Sequence, residues 1–474
     1  MKTKFTFLGI FMLFPCFIFA ENALIKEDLP HLITARSAHV QLVNSANEYV
    51  VLGGHVSGFN LTKSVEIYDN STKQWTLTTS VGNRDMPFVA KLQNGKYLIG
   101  AGCSSAWGVG QLATTELYNP ADKSFTAAGS MSVARTNATS ATLKDGRVLV
   151  LGNWYASASK GEIYDPGTNT FTSTGDCLNQ RAYPVIIPTN DGGAIVGGGV
   201  GIYGAQLGGL VFEKYNPTSN SFSAISTATF YGETGWTASA VGPTLTQQYL
   251  LPSGKYALII YKPDNSKVGI ITIDPVTEVI AEVTLQRSIP VTDTDNPSIV
   301  FGSNTIPMID QTKNLLHIVQ AGKDATHMLR VVTINISTGA VNWAKMTGFD
   351  YYPSSGNISM LADGRILFSG GMKPDNFTLS DKAYIITVPT YPNTALDETD
   401  KKDAIQVSWN AMQDAFVLNT VVGKATLYDI NGKVLVEKYN TNQITYTQLS
   451  TGIYLIKVQY MYSNKNQVIK AIIN

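Results

Sequence analysis

The sequence predicts an all-β protein: seven repeated units of four strands each, followed by a small β-sandwich. Three observations predict this. Nearly the same stretch recurs four times, as "VEIYDNSTKQW" (65–75), "TELYNPADKSF" (115–125), "GEIYDPGTNTF" (161–171) and "FEKYNPTSNSF" (212–222), with Tyr68, Tyr118, Tyr164 and Tyr215 spaced by 50, 46 and 51 residues. A second marker, a turn followed by an apolar run closing on small residues, ends at residues 54, 102, 152, 199, 261, 322 and 371, which makes seven units. From about Ala395 both markers stop and short alternating strands take over.

The second marker is clearest in "QNGKYLIGAG" (93–102), "KDGRVLVLGN" (144–153), "NDGGAIVGGG" (190–199) and "ADGRILFSGG" (362–371). Asn-Gly and Asp-Gly tolerate the positive φ that a tight hairpin needs. Each unit therefore reads as an inner strand, the turn, a second strand ending in the small pair, a third strand carrying Glu-x-Tyr, and a fourth starting at the aromatic. Four strands per period of about 45–50 residues is the repeat of a propeller blade. The aromatic after the third strand is expected to pack on the neighbouring blade. The seventh unit lacks a fourth strand, and the segment after residue 20 resembles the missing piece, so an N-terminal strand near residues 23–25 is expected to close a seven-bladed β-propeller and remove an exposed edge.

Around this domain the chain is organised simply. Lys2, Lys4 and the apolar run 5–20 form a signal-peptide pattern with cleavage after Ala20. Residues 21–393 form the propeller, 394–403 a charged linker, and 404–474 the β-sandwich. The formal net charge is zero and only 15% of residues are charged, which speaks against a nucleic-acid footprint or a polybasic membrane patch. Two cysteines remain in the mature chain, Cys103 and Cys177; export would permit a disulfide, and the sequence leaves open whether they pair.

The glycine pair, the Tyr followed by Asp or Asn, the later aromatic and an Arg before the inner strand (Arg36, Arg84, Arg135, Arg181) resemble the kelch repeat, as in the central domain of galactose oxidase. The resemblance fades in units five to seven. In the last 75 residues or so, "LYDINGKVL" (427–435), "LSTGIYLIKV" (449–458) and the terminal "VIKAIIN" resemble the C-terminal sorting domain of type IX secretion in Bacteroidetes-type bacteria. That resemblance implies an exported protein, at the cell surface or extracellular, whose C-terminal domain engages secretion machinery. The Asn-Pro that usually opens that domain is absent here.

Groups repeated in every blade are structural, so candidates for function are residues that break the repeat where the second–third-strand loops meet the blade-to-blade connections. On the later blades these are Glu233, Trp236, Asp293, Asp295, Tyr351 and Tyr352; the loops after the small pairs add His55, Trp107, Trp154, Tyr155, Tyr203 and His327. Aromatics among carboxylates suit sugars, because a ring face covers C–H groups while charged groups bind hydroxyls. The preferred reading is a monomeric, non-catalytic propeller that binds a glycan or an extracellular protein, with no metal and no cofactor. The alternative is a carbohydrate-active enzyme at the channel mouth. A polysaccharide lyase or sugar epimerase would use His55, Tyr155, Glu233 and Arg135 as acid and base. A copper oxidase of the galactose-oxidase kind implies a Cys-linked Tyr, another Tyr and two His; the chain has five His and no Tyr-His pair.

Overall fold

The computed structural model describes residues 24–389 apart from 45–46, 106–108, 156–158, 202, 204–209, 226–228, 239–248, 263, 265, 287, 290–305, 322–327, 350–357 and 373–377. In the C-terminal part it describes 407–410, 415–430, 433–446, 449, 452–459 and 466–473. The leader, the linker and Trp107, Asp293, Asp295, His327, Tyr351 and Tyr352 lie outside the described residues. The chain divides into two compact units, 1–393 and 394–474.

The first unit is built of antiparallel sheets whose strands follow chain order from inside out. The first contains Val40–Val43, Tyr49–Leu52, Ser64–Asp69 and Gln74–Thr79. Three more of the same pattern follow, with inner strands Phe88–Lys91, Thr139–Thr142 and Val185–Pro188. The fifth shows three strands among the described residues, Tyr256–Tyr261, Val268–Ile273 and Ile280–Glu282. The sixth runs from Ile306–Asp310 to Val341–Met346. In the last sheet Ile358–Met360, Ile366–Ser369 and Ala383–Thr387 are joined by Ile25–Asp28, which pairs in register from Ile25 opposite Thr387 to Asp28 opposite Tyr384. A strand from the chain start thus occupies the outer edge of the last sheet.

Sequence periodicity explains the packing. Second strands such as "YVVL" (49–52) and "VLVL" (148–151) are buried along their whole length, because both of their faces meet another sheet. The apolar clusters bridge neighbours in turn: sheets one and two share Val40, Ile67 and Ile99; two and three share Phe88, Leu98 and Val150; three and four share Leu149, Ile186 and Val196. One large cluster spans sheets four to six, and two more join six to seven and seven to one. Face-to-face packing therefore runs around the unit and returns to its start. Each fully buried Leu or Ile in it contributes about 1.5–3 kcal/mol relative to exposure.

The repeated Glu, Tyr, Arg and aromatic all prove to be scaffold. Arg36 pairs with Glu66 at 2.6 Å, Arg84 with Glu116 at 2.9 Å, Arg135 with Glu162 at 3.4 Å and Arg181 with Glu213 at 2.7 Å, and all eight side chains are buried. Each Arg also donates to main-chain carbonyls of its own sheet, as Arg36 does to Gly53 and Ser64. Each Glu accepts main-chain N–H groups from the segment before the Arg: Ile33 and Thr34 for Glu66, Ser132 and Val133 for Glu162. The pair is a staple that satisfies loop backbone where no water reaches. The later aromatic packs first on the repeated Tyr of its own sheet, opposite which it pairs: Tyr68–Trp75 at 5.1 Å, Tyr118–Phe125 at 4.7 Å, Tyr164–Phe171 at 5.0 Å and Tyr215–Phe222 at 5.1 Å. Each also makes the expected contact with the neighbouring blade: Phe222 lies within the cluster shared with the preceding sheet, and Trp75, Phe125 and Phe171 pack against theirs. Cys103 and Cys177 are both free thiols.

Two buried histidines give this unit an acid-sensitive core. His39 is fully buried and hydrogen-bonded through Nε2 to Ser369 Oγ at 3.2 Å, and burial followed by the Arg36 charge holds it well below the usual imidazole range. His317, with Nδ1 2.9 Å from Thr333 Oγ1, is lowered by burial to about 4. A folded-state pKa below the unfolded one means that the native state refuses a proton which the unfolded chain accepts. The stability is complete above about pH 6.5 and is lost as pH falls toward the folded value. His317 alone should cost about 2 kcal/mol between pH 7 and about pH 5. Thermal melts at the two pH values should show the drop, and His317→Gln should reduce it; an identical drop in the variant would assign the acid sensitivity elsewhere.

The second unit contains strands Val407–Asn410, Ala415–Tyr428, Val434–Thr445, Gly452–Gln459 and Asn466–Ile473. They form one antiparallel sheet in which Ala415–Tyr428 pairs with three others. Its register shifts between Val417 and Val422, so that its first half pairs with Val407–Asn410 and its second with Gly452–Gln459. The sheet folds over Phe416, Leu418, Leu427, Ile444, Ile456 and Val458.

Candidate functional site

In the first four sheets the residue two places after the scaffold Arg adopts a left-handed backbone: Ala38 (φ 53°), Met86 (48°), Asn137 (57°) and Tyr183 (53°). Non-glycine residues rarely sit there. The residue in between pairs with the loop that follows the small pair, Ser37 with His55, Asp85 with Cys103 and Ala182 with Val200, while Trp154 N donates to Thr136 O at 3.1 Å. The post-glycine loops and the starts of the inner strands therefore share one face, and the side chains of Met86, Asn137 and Tyr183 meet there.

A chain of contacts crosses this face from blade to blade. His55 Nε2 lies 2.9 Å from Asp85 Oδ2, and both side chains are buried. Cys103 Sγ donates to Thr136 Oγ1 at 3.0 Å, and that hydroxyl donates to Asn137 Oδ1 at 2.8 Å. Burial raises the Cys103 thiol to about 11, so it stays protonated and unreactive at neutral pH. Asn137 Nδ2 donates to the Tyr183 hydroxyl, and Met86 Sδ lies 3.9 Å from that hydroxyl. Burial also raises the Tyr183 phenol far above its ordinary range. Trp154 stands edge-on to Tyr183 with ring centroids 6.4 Å apart. Beside it Tyr155 and Tyr203 form a second edge-on pair at 5.5 Å, and Tyr203 N donates to Trp154 O at 2.9 Å. Tyr203 is 64% exposed.

Of the residues singled out in the sequence, Trp154, Tyr155 and Tyr203 come together on this face, while His55 is buried against Asp85. Trp236 does not offer a ring to it. Thr237 pairs with Tyr261 as Ser37 does with His55, which puts Trp236 at the position of the scaffold Arg. It is 3% exposed within the apolar cluster of sheets four to six, and its Nε1 donates to Phe230 O at 2.8 Å. In that blade the Tyr231 hydroxyl takes over the stapling, donating to Ile270 O at 2.6 Å and accepting from Ile270 N at 3.0 Å. Glu233 is held by Lys267 and Lys262, whose hydrogen bonds keep its carboxyl below the usual range. Arg135, buried against Glu162, has no access to a ligand. Tyr183 was missed. Its signal in the sequence is positional: the third residue of each Arg-x-x triplet varies from Ala to Met, Asn and Tyr while its surroundings repeat.

Among the described residues no group of three or more His, Cys, Asp or Glu side chains could hold a metal ion. The described donors at this face are the Cys103 thiol bonded to Thr136, the phenols of Tyr155, Tyr183 and Tyr203, and one imidazole, His55, bonded to Asp85; a single imidazole among the described residues falls short of the two that such a copper site implies.

Comparison with known proteins decides the assignment of the C-terminal unit. Residues 391–474 match the secretion system C-terminal sorting domain. That unit implies export to the cell surface or the medium and contact with the type IX secretion machinery. Two galactose oxidase sequences from Gibberella zeae are 27% identical over 143 residues, 30% of this chain. The match spans about a fifth of their own length, 20%. A solved fungal alcohol oxidase of the AA5 family, in complex with copper, superposes with a TM-score of 0.50 at 13% identity, covering 95% of this chain and 99% of its own. The likeness is one of fold: the first unit shares the β-propeller architecture of that oxidase.

Proposed function

We propose that the protein is an exported, non-catalytic propeller that binds a glycan through the aromatic face formed by Trp154, Tyr155 and Tyr203. The observation that carries this reading is the exposed Tyr203 ring set edge-on against Tyr155 beside a half-buried Trp154. Aromatic faces cover the C–H side of a sugar ring without needing charge. The ionisable pair His55 and Asp85 is buried and joins two blades, which supports binding over acid–base chemistry. A copper oxidase is the second reading, favoured by the sequence match to galactose oxidase.

A glycan-array screen of the full chain tests both readings. We expect retention of a glycan and a loss of at least about tenfold, 1.4 kcal/mol, in Tyr203→Ala with an unchanged melting temperature. The copper-treated protein should release no hydrogen peroxide from galactose or primary alcohols. Peroxide production would overturn the non-catalytic reading, and normal glycan binding by Tyr203→Ala would overturn the placement.

A further inference from the structure

A cavity of about 840 Å³ opens at the opposite end of the inner strands, where the turns between first and second strands lie. It is lined by the inner strands of sheets two and three and by turn residues of sheets four and five. This volume falls in the range of clefts that hold small organic ligands, well above what a lone inorganic anion fills. Its charge is one-sided. Among the described residues Lys91 and Lys144 line it, no Asp or Glu does, and neither lysine has an ion-pair partner. The carboxylates of the adjoining turns are turned into their own blades: Asp145 onto Arg147 at 2.7 Å and Asp191 onto Lys214 at 2.7 Å. Val89, Leu250 and Pro275 supply an apolar wall.

We propose that this second mouth binds a carboxylate-bearing oligosaccharide, a short run of uronic acid units. Two ammonium groups on adjacent blades suit acidic groups repeated along a chain, and the apolar wall suits the C–H faces of the rings. An acidic peptide fits less well. A peptide entering the channel would add to the free edges of the inner strands, but the carbonyls there are already used: Ser140 Oγ donates to Val89 O at 3.0 Å and Thr142 Oγ1 to Lys91 O at 2.6 Å. The ligand is therefore read by side chains. This site is separate from the aromatic face and does not depend on it.

The test is calorimetric titration of the full chain with trigalacturonate, its methyl ester, inorganic phosphate and an acidic peptide. Trigalacturonate should bind, weaken as salt rises, and lose at least about tenfold both on esterification and in the double variant Lys91→Ala/Lys144→Ala. The melting temperature of that variant should match the parent, because neither lysine is in an ion pair among the described residues. Tyr203→Ala should bind trigalacturonate normally, which separates this site from the aromatic face. Four results would each overturn the proposal: no binding by the parent protein, unchanged binding by the double variant, loss of binding in Tyr203→Ala, or equal affinity for phosphate or the acidic peptide.

Discussion

Glu66→Ala should destabilise the propeller by about 3–5 kcal/mol, among the largest effects of any single side-chain truncation here. The Arg36–Glu66 pair is fully buried, and burial already pulls the Arg36 guanidinium below its ordinary range. Removing the carboxylate leaves that charge without its counter-ion. It also orphans the N–H groups of Ile33 and Thr34, which Glu66 accepts at 2.6 and 3.0 Å. Exchanging both partners for apolar residues often restores stability when a buried pair serves only itself. Here the double variant Arg36→Met/Glu66→Leu should remain well below the parent, because Gly53 O and Ser64 O each lose the Arg36 donor and Ile33 N and Thr34 N lose their acceptor. Chemical denaturation checks both, with Glu233→Gln as the exposed control whose midpoint should not move. Full recovery in the double variant would show that the staple holds charge rather than backbone.

The fifth blade shows why this repeat was legible and where legibility stopped. Glu-x-Tyr, the tight turns and the small pairs recur because each answers a local demand that every blade shares: a hairpin, a close approach, a satisfied loop. Those demands can be read from short windows of sequence. Trp236 breaks the pattern, and a broken pattern reads as function. In the structure it is a second solution to the same demand, with Tyr231 and Trp236 replacing an ion pair by a hydroxyl and an apolar contact. The sequence shows the loss of Arg but not what compensates for it. The same limit applies across blades. His55 and Asp85 lie 30 residues apart, and Asn137 and Tyr183 lie 46 apart. Their contacts depend on how one blade leans on the next, which no window of sequence contains. The cavity lined by Lys91 and Lys144 was invisible for the same reason: it is a property of several inner strands together.

Gly54→Ala should cost at least about 3 kcal/mol, and Gly95→Ala about 1–2 kcal/mol. The two glycines have the same backbone, φ +82°, so the strain of placing an L-residue in the left-handed region is common to both. Their surroundings differ. A Cβ at Gly95, in the turn of the second blade, meets nothing within 4 Å. At Gly54 it would lie 2.3 Å from Ser37 O, 2.7 Å from His39 N and 2.9 Å from His39 Cα. These are backbone atoms, so no side chain can swing aside. They also hold the strand start where His55 pairs with Ser37 and where Gly371 N donates to Arg36 O across the join of the last sheet with the first. Displacing them should loosen the joint at which the last sheet of the first unit meets the first. Thermal melts of the two variants separate the terms: the Gly95 shift measures backbone strain alone, and the excess at Gly54 measures the close approach. Equal shifts would mean that the small pair is selected for its φ and not for contact between chain segments.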